Sequence, residues 1–384
     1  PASIPPQSSK AFRVWFNPTT ASAFSDTMKI YSNATNKPLF RFALSGSGTA
    51  INSVLGNILW EGITPINPSI SANDIQPTSI KQIGDVNADG VNDILVASNN
   101  YLVTCFSGNA SVTADSLWSF NTGYNNNNTG AVMWKDCMFP RTDVDGDGVL
   151  DVVFGVGGGN EMVYTVSGRT GRQIWAYGDS VSYSDGDIYG IRVDKDYNGD
   201  GVNDVIISAS GSGVSSGGRH AVICVNGLNG QVIFYNQLAD DFTYDVVNTD
   251  FGAALGMGFN GGPYAIQAVN NSGSPTWNYQ GISMSEWSMY QIPSIDTDTN
   301  KEIIGLWGFY GGIFCISSND GNARWITSLG SSNNGTVQLL DDLDSNGFID
   351  FTVSGPMTPD LEETDVKRVT VYRIFGHIVP ALHL

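Results

Sequence analysis

Short apolar runs rich in Val, Ile, Phe, Tyr and Trp recur along the chain between clusters of Gly, Asn, Asp and Ser. Runs of this length bounded by turn formers read as β-strands. Residues 79–84, 93–97, 101–106 and 117–120 make one set of four. The strands 151–155, 161–166 and 173–177 belong to a second set, and 204–208, 220–225 and 232–235 to a third. A further set follows at 241–247, 253–258, 264–269 and 276–279. Residues 11–16, 29–32 and 39–43 read as a partial copy ahead of all these.

The sets keep a period. A loop after each first strand begins near residues 85, 143, 196, 245, 296 and 342, a spacing of 46 to 58 residues. Such a period signals an array or a propeller. A four-stranded antiparallel repeat cannot bury both faces alone, so copies stack face to face, and strand twist turns the stack into a ring. The chain is therefore read as all-β, a single seven-bladed β-propeller over residues 11–376, with blades near 11–60, 79–120, 136–178, 187–236, 241–280, 288–328 and 336–376. Residues 1–10 form an extended tail, and 377–384 form a second tail that completes a blade. Three stretches depart most from the repeat: 44–78, the Asn run 125–128, and 210–218. Functional loops are grafted on such departures. The last strand of most repeats carries an aromatic, Phe40, Trp118, Trp175, Phe234, Trp277 or Trp325, and packing between neighbouring repeats is the expected role.

The loops carry the chemistry. Residues 143–151 place Asp143, Asp145, Asp147 and Asp151 at positions one, three, five and nine, with Gly148 at the turn. The pattern returns as Asp85, Asn87, Asp89 and Asp93; as Asp196, Asn198, Asp200 and Asp204; and as Asp342, Asp344, Asn346 and Asp350. Hard oxygen donors at this spacing suit Ca²⁺, and about four structural ions are expected. Unpaired carboxylates so close together would repel without a cation. The fifth repeat has no acidic ladder and is expected to bind no metal. The sixth begins with Asp296, Asp298 and Asn300, but Glu302 arrives two residues early, so a closed site is not secured there.

Composition fits this picture. Only 14% of the 384 residues are charged and 45 are Gly. The net charge of −19 argues against nucleic acid, which needs a basic stripe. Thirteen carboxylates sit in the four intact loops, so much of the acidity is metal demand. No apolar stretch is long enough to span a bilayer. Cys105, Cys224 and Cys315 share one slot of the repeat, where other copies have Ala268 and Thr165; a small packed site with free thiols is expected, with a Cys105–Cys137 bridge as the alternative.

On these loops and turns the chain resembles FG-GAP and VCBS-type repeat propellers, related in pattern to the integrin α-subunit head, and its turn-then-Trp endings look like PQQ-like propellers. The resemblance covers the chain from about residue 11 onward. It implies that the loop lies between a blade's first two strands and that the seventh loop residue supplies a backbone carbonyl. Those residues are Val91, Val149, Val202 and Phe348.

The resemblance implies an extracellular or cell-surface module that binds a protein or glycan ligand without catalysis. A self-assembling subunit of a filament or surface layer, using its termini, is the alternative. A carbohydrate-active enzyme such as a polysaccharide lyase ranks third. The chain has only His220, His377 and His383, too few for a histidine-based triad, and the Gly-rich run 156–160 has no following Lys. Lys135 with Asp136, or Arg141 near Asp143, are the nearest approach to lyase groups.

Overall fold

Twenty-five strands make up the described secondary structure, all paired antiparallel, in a computed structural model. It describes residues 23–31, 39–47, 60–68, 77–110, 113–123, 137–157, 161–178, 186–210, 220–238, 243–257, 265–280, 286–296, 298–307, 312–328, 336–343, 345, 347–356 and 367–372. The chain divides into two compact units, Pro1–Leu59 and Trp60–Leu384. The propeller span of 11–376 read from the sequence crosses this division.

In the first unit, β1 (Ala23–Tyr31) pairs with β2 (Leu39–Ser47) as a two-stranded sheet, with Ala23 opposite Ser47 and Tyr31 opposite Leu39. The expected strand 11–16, both tails and the 125–128 run lie outside the described residues, as do most of 44–78 and 210–218.

The second unit holds six sheets in chain order. The first is β3 (Pro77–Gln82), β4 (Ile94–Ser98), β5 (Leu102–Phe106) and β6 (Ser116–Asn121). Next come β7 (Met138–Arg141), β8 (Asp151–Gly155), β9 (Val163–Val166) and β10 (Gln173–Tyr177). The following sheet is β11 (Asp187–Lys195), β12 (Asp204–Ser210), β13 (Ala221–Val225) and β14 (Val232–Gln237). Then come β15 (Thr243–Thr249), β16 (Gly252–Met257), β17 (Ile266–Asn270) and β18 (Pro275–Tyr279). The sixth repeat gives β19 (Glu286–Ile292), β20 (Glu302–Trp307), β21 (Gly312–Ser317) and β22 (Ala323–Ser328). The last gives β23 (Thr336–Leu339), β24 (Phe351–Pro356) and β25 (Lys367–Tyr372). With the hairpin, the described residues form seven sheets.

Middle strands are buried along their whole length, as in β8, β9, β12 and β13, while last strands such as β6 and β14 bury one residue, Trp118 or Phe234. A middle strand has a neighbouring sheet on each face, so its side chains meet apolar surface whichever way they point. Val152 and Phe154 of β8 join the core shared with β4 and β5, whereas Val153 joins the core shared with β12 and β13. First strands of successive sheets lie side by side, from β3 and β7 through β11, β15 and β19 to β23. This is the blade arrangement of a β-propeller.

The aromatics lock blade to blade. Trp118 Nε1 donates to the Gly168 carbonyl at 2.7 Å, and Trp175 Nε1 donates to the Gly227 carbonyl at 2.9 Å, each on the following blade. A glycine of that same turn lies over the ring: a Cβ on Gly171 or Gly230 would stand 2.7 Å from the indole. Both glycines also have positive φ, 67° and 72°, so the turn selects glycine twice over. Phe234 under Gly273 and Trp277 under Gly321 repeat the device. All four cysteines are buried and free.

Candidate metal loops and a cavity between first strands

In three blades the acidic loop folds into one hydrogen-bonded form. The first-position carboxylate accepts the sixth-residue N–H: Asp85 from Gly90 at 2.7 Å, Asp143 from Gly148 at 2.8 Å, and Asp196 from Gly201 at 2.9 Å. These glycines have φ of 91°, 87° and 88°, a left-handed turn that folds the loop back on itself. The fifth-position Asp then accepts the seventh N–H, with Val91, Val149 and Val202 donating at 3.0, 2.9 and 2.9 Å. Thus the residues expected to offer a carbonyl are held by their own N–H groups against the ladder.

The ninth residue, which opens the second strand at Asp151 and Asp204 and immediately precedes it at Asp93, is fully buried in all three. One oxygen accepts from the second loop residue, Val86 at 2.8 Å, Val144 at 2.6 Å or Tyr197 at 2.8 Å. The other accepts from a glycine in the turn between the blade's third and fourth strands, Gly108, Gly168 or Gly227, at 2.9, 3.2 and 2.9 Å. One carboxylate therefore ties two turns together. Burial pushes the Asp151 carboxyl up, with the charge of Asp145 adding to the effect and its backbone hydrogen bonds opposing it. Asp204 is raised for the same first reason. A divalent cation would relieve that penalty on the charged form.

Donor chemistry and geometry fit a hard cation. Single oxygens of Asp143, Asp145 and Asp151 lie within 4.8 Å of one another, and so do those of Asp296, Asp298 and Glu302 in the sixth loop. In the last blade, Asp342 accepts from Gly347 and Asp350 from Leu343, both at 2.8 Å, matching positions one and nine. Asp344 and Asn346 lie outside the described residues, and Phe348 is half-buried.

The sixth loop corrects the register read from the sequence. Glu302 does not arrive early: it occupies position nine of a loop that starts at Ser294. Ile295, at position two, donates to Glu302 Oε2 at 2.9 Å, as Val86 does to Asp93. Asp298 N–H donates to Asp296 at 2.9 Å and Asn300 N–H to Asp298 at 2.8 Å, the contacts of positions five to three and seven to five. Thr299 takes the left-handed turn of position six with φ of 66°. The true departure is Ser294 in place of the first Asp, so Asp296, Asp298, Asn300 and Glu302 fill positions three, five, seven and nine.

A cation already sits among those acids. Arg324 Nε lies 2.8 Å from Asp296 and 3.5 Å from Glu302, and Nη2 pairs with Asp298. Glu302 is fully buried, and burial pushes its carboxyl up to about 7, with Arg324 opposing. In the fifth blade β15 turns directly into β16, with Thr249 opposite Gly252. Lys195 Nζ donates there to the carbonyls of Thr249, Asp250 and Gly252 at 2.5, 3.3 and 3.4 Å.

A second feature lies where first strands converge. A cavity of about 300 Å³ is bounded by Ser79 and Lys81 of β3, Phe139 of β7, Arg192 of β11, Tyr290 of β19 and Gln338 of β23. Lys81 Nζ lies 4.9 Å and the Arg192 guanidinium 5.8 Å from the centre of the Phe139 ring. Arg192 is fixed by Asp245 at 3.0 Å and by the Ile191 and Met289 carbonyls at 2.8 and 3.3 Å.

Arg141, weighed as a lyase group, is buried and gives Nη2 to the Asn203 carbonyl at 2.9 Å, and burial lowers its pKa to about 10. Lys135 and Asp136 lie outside the described residues. Sequence reasoning missed the cavity and Arg324. The cavity has no linear signal, whereas Arg324 had one: it replaces Leu117, Ile174 and Ile233, the residues before the ring in three other blades.

No protein-family model matches the chain. No curated protein matches it either. Among solved structures, the C-terminal WD40 domain of Sif2 aligns at 12% identity with a TM-score of 0.47, covering 73% of this chain and 69% of that one. BBS1N in complex with ARL6DN aligns at 12% identity and 0.49, covering 75% and 81%. The Dos1 propeller aligns at 10% and 0.48, covering 74% and 68%.

Proposed function

We propose that the chain is a calcium-stabilised β-propeller of the FG-GAP/VCBS type, acting outside the cell or at its surface as a non-enzymatic binding module. The observation that carries this reading is the threefold repetition of one loop geometry, with a buried ninth-position Asp joining two turns of its blade. A solvated acidic turn would have no reason to repeat buried carboxylates in the same place. Calcium at positions one, three, five and nine neutralises each ladder and fixes the hairpin between the first two strands. The ions are structural, and the ligand of the module is a separate matter.

For that ligand, the cavity between first strands is the best-prepared place. Five blades contribute to it, two cations share one aromatic ring, and Asp245 presets the Arg192 geometry. An acidic group on a protein or glycan matches this lining, with Lys81 supplying the charge. Calorimetric titration with CaCl₂, followed by glycan and matrix-protein arrays in calcium or chelator, tests the proposal. Several ions per chain and calcium-dependent capture of acidic ligands, weakened in Lys81→Gln, are the expected results. Absence of calcium binding would remove the basis of the reading.

A further inference from the structure

We infer that the propeller carries its own cations in the fifth and sixth blades, so that calcium governs only part of the molecule. This rests on the calcium reading above and adds to it which hairpins the metal controls.

In the sixth blade the loop repeats three backbone contacts of its metal-type counterparts, from position two to nine, five to three and seven to five, with a left-handed residue at Thr299. The Arg324 guanidinium reaches the side chains at positions three, five and nine, which are ligand positions in the other loops. It is less than one-fifth exposed, and Glu302 beneath it is fully buried. A nearby cation offsets the cost of charge on the buried Glu302 carboxyl, and a well-packed guanidinium is one that does not dissociate. A metal entering this loop would have to displace Arg324 from all three acids and leave it beside a dication. The first-position Asp is also missing, replaced by Ser294, whose hydroxyl donates to the Asp296 carbonyl at 3.1 Å. The substitution at 294 and that at 324 therefore agree: one removes a ligand and the other supplies a charge.

The fifth blade follows the same logic with a different group. Its hairpin has no loop to hold an ion, and Lys195 from the preceding blade collects three carbonyls at the turn. Lys301, at position eight of the sixth loop, pairs with Asp250 of the same turn at 2.7 Å. Covalently attached cations thus run through two adjacent blades, next to three adjacent blades with metal-type loops.

Hydrogen–deuterium exchange of the whole chain, in 2 mM CaCl₂ and in chelator, tests the assignment directly. Calcium should slow exchange about tenfold or more over 85–93, 143–151 and 196–204 and leave 245–252 and 294–302 unchanged. In Arg324→Ile, which restores the apolar residue of the other blades, calcium should now protect 294–302. Adding Ser294→Asp should raise the calorimetric stoichiometry by one ion. Calcium protection of 294–302 in the unaltered chain would overturn this inference alone. Protection at none of the five segments would overturn the calcium reading itself. Since the unaltered chain already decides the matter, failure of Arg324→Ile to fold does not block the test.

Discussion

Replacing Asp151 by Asn separates two roles that the structure superimposes on one side chain. The carboxylate accepts N–H groups from Val144, Asp145 and Gly168 at 2.6, 3.3 and 3.2 Å, and it offers an oxygen to the cluster with Asp143 and Asp145. Asn keeps the shape and one acceptor oxygen, but its amide faces a backbone donor. The lost charge-assisted bonds cost about 1.5–3 kcal/mol each. Burial, however, already penalises the charged form, since it is what raises the Asp151 carboxyl. In chelator these effects oppose each other, and a net change within about 1 kcal/mol is expected. In calcium the variant also loses a ligand; at a concentration one hundred times the dissociation constant, an ion contributes about 2.7 kcal/mol. For a domain of this size that is about 3–4 °C in Tm. Thermal denaturation of both proteins, in calcium and in chelator, gives the difference directly. An equal loss in the two buffers would refute the argument and leave Asp151 as a backbone clamp only.

Other consequences can be measured separately. Gly230→Ala should destabilise by about 1–3 kcal/mol in urea, because a Cβ at φ of 72° would lie 2.7 Å from Trp175. Trp175→Phe should cost about as much, through the hydrogen bond to Gly227 and the space left behind. Burial pushes the Cys105 thiol up to about 12 and raises Cys224 and Cys315 too. The folded chain at pH 8 therefore holds almost no thiolate at these residues. Iodoacetamide should leave them unmodified until denaturant is added, as read by mass spectrometry.

Strand order and blade repetition were legible because middle strands buried on both faces leave continuous apolar runs, such as Val205 to Ile207. The acidic ladders were legible because their acids are local, within nine residues. The sixth loop was misread for a reason of chemistry: its first acid is absent, so alignment by acids alone slid the register by two positions. Backbone contacts, from Ile295 to Glu302 and from Asn300 to Asp298, restore it. The cavity was invisible because Lys81, Phe139, Arg192, Tyr290 and Gln338 lie far apart in sequence and meet only when first strands gather. Trp118, Trp175, Phe234 and Trp277 were correctly read as packing, but their partners, the glycines of the next blade's turn, depend on an interface no single repeat encodes.

The ring-under-glycine lock also bears on how such a chain can grow. Each lock joins a blade to its successor through the same two parts, an aromatic on the last strand and a glycine on the next turn. A duplicated blade therefore arrives with both halves of the joint already made, ready to receive one neighbour and to engage the other. Changes in repeat number need no redesign of the interface, and a blade is free to lose its loop chemistry, as the fifth has, while its place in the series is kept by the joint alone.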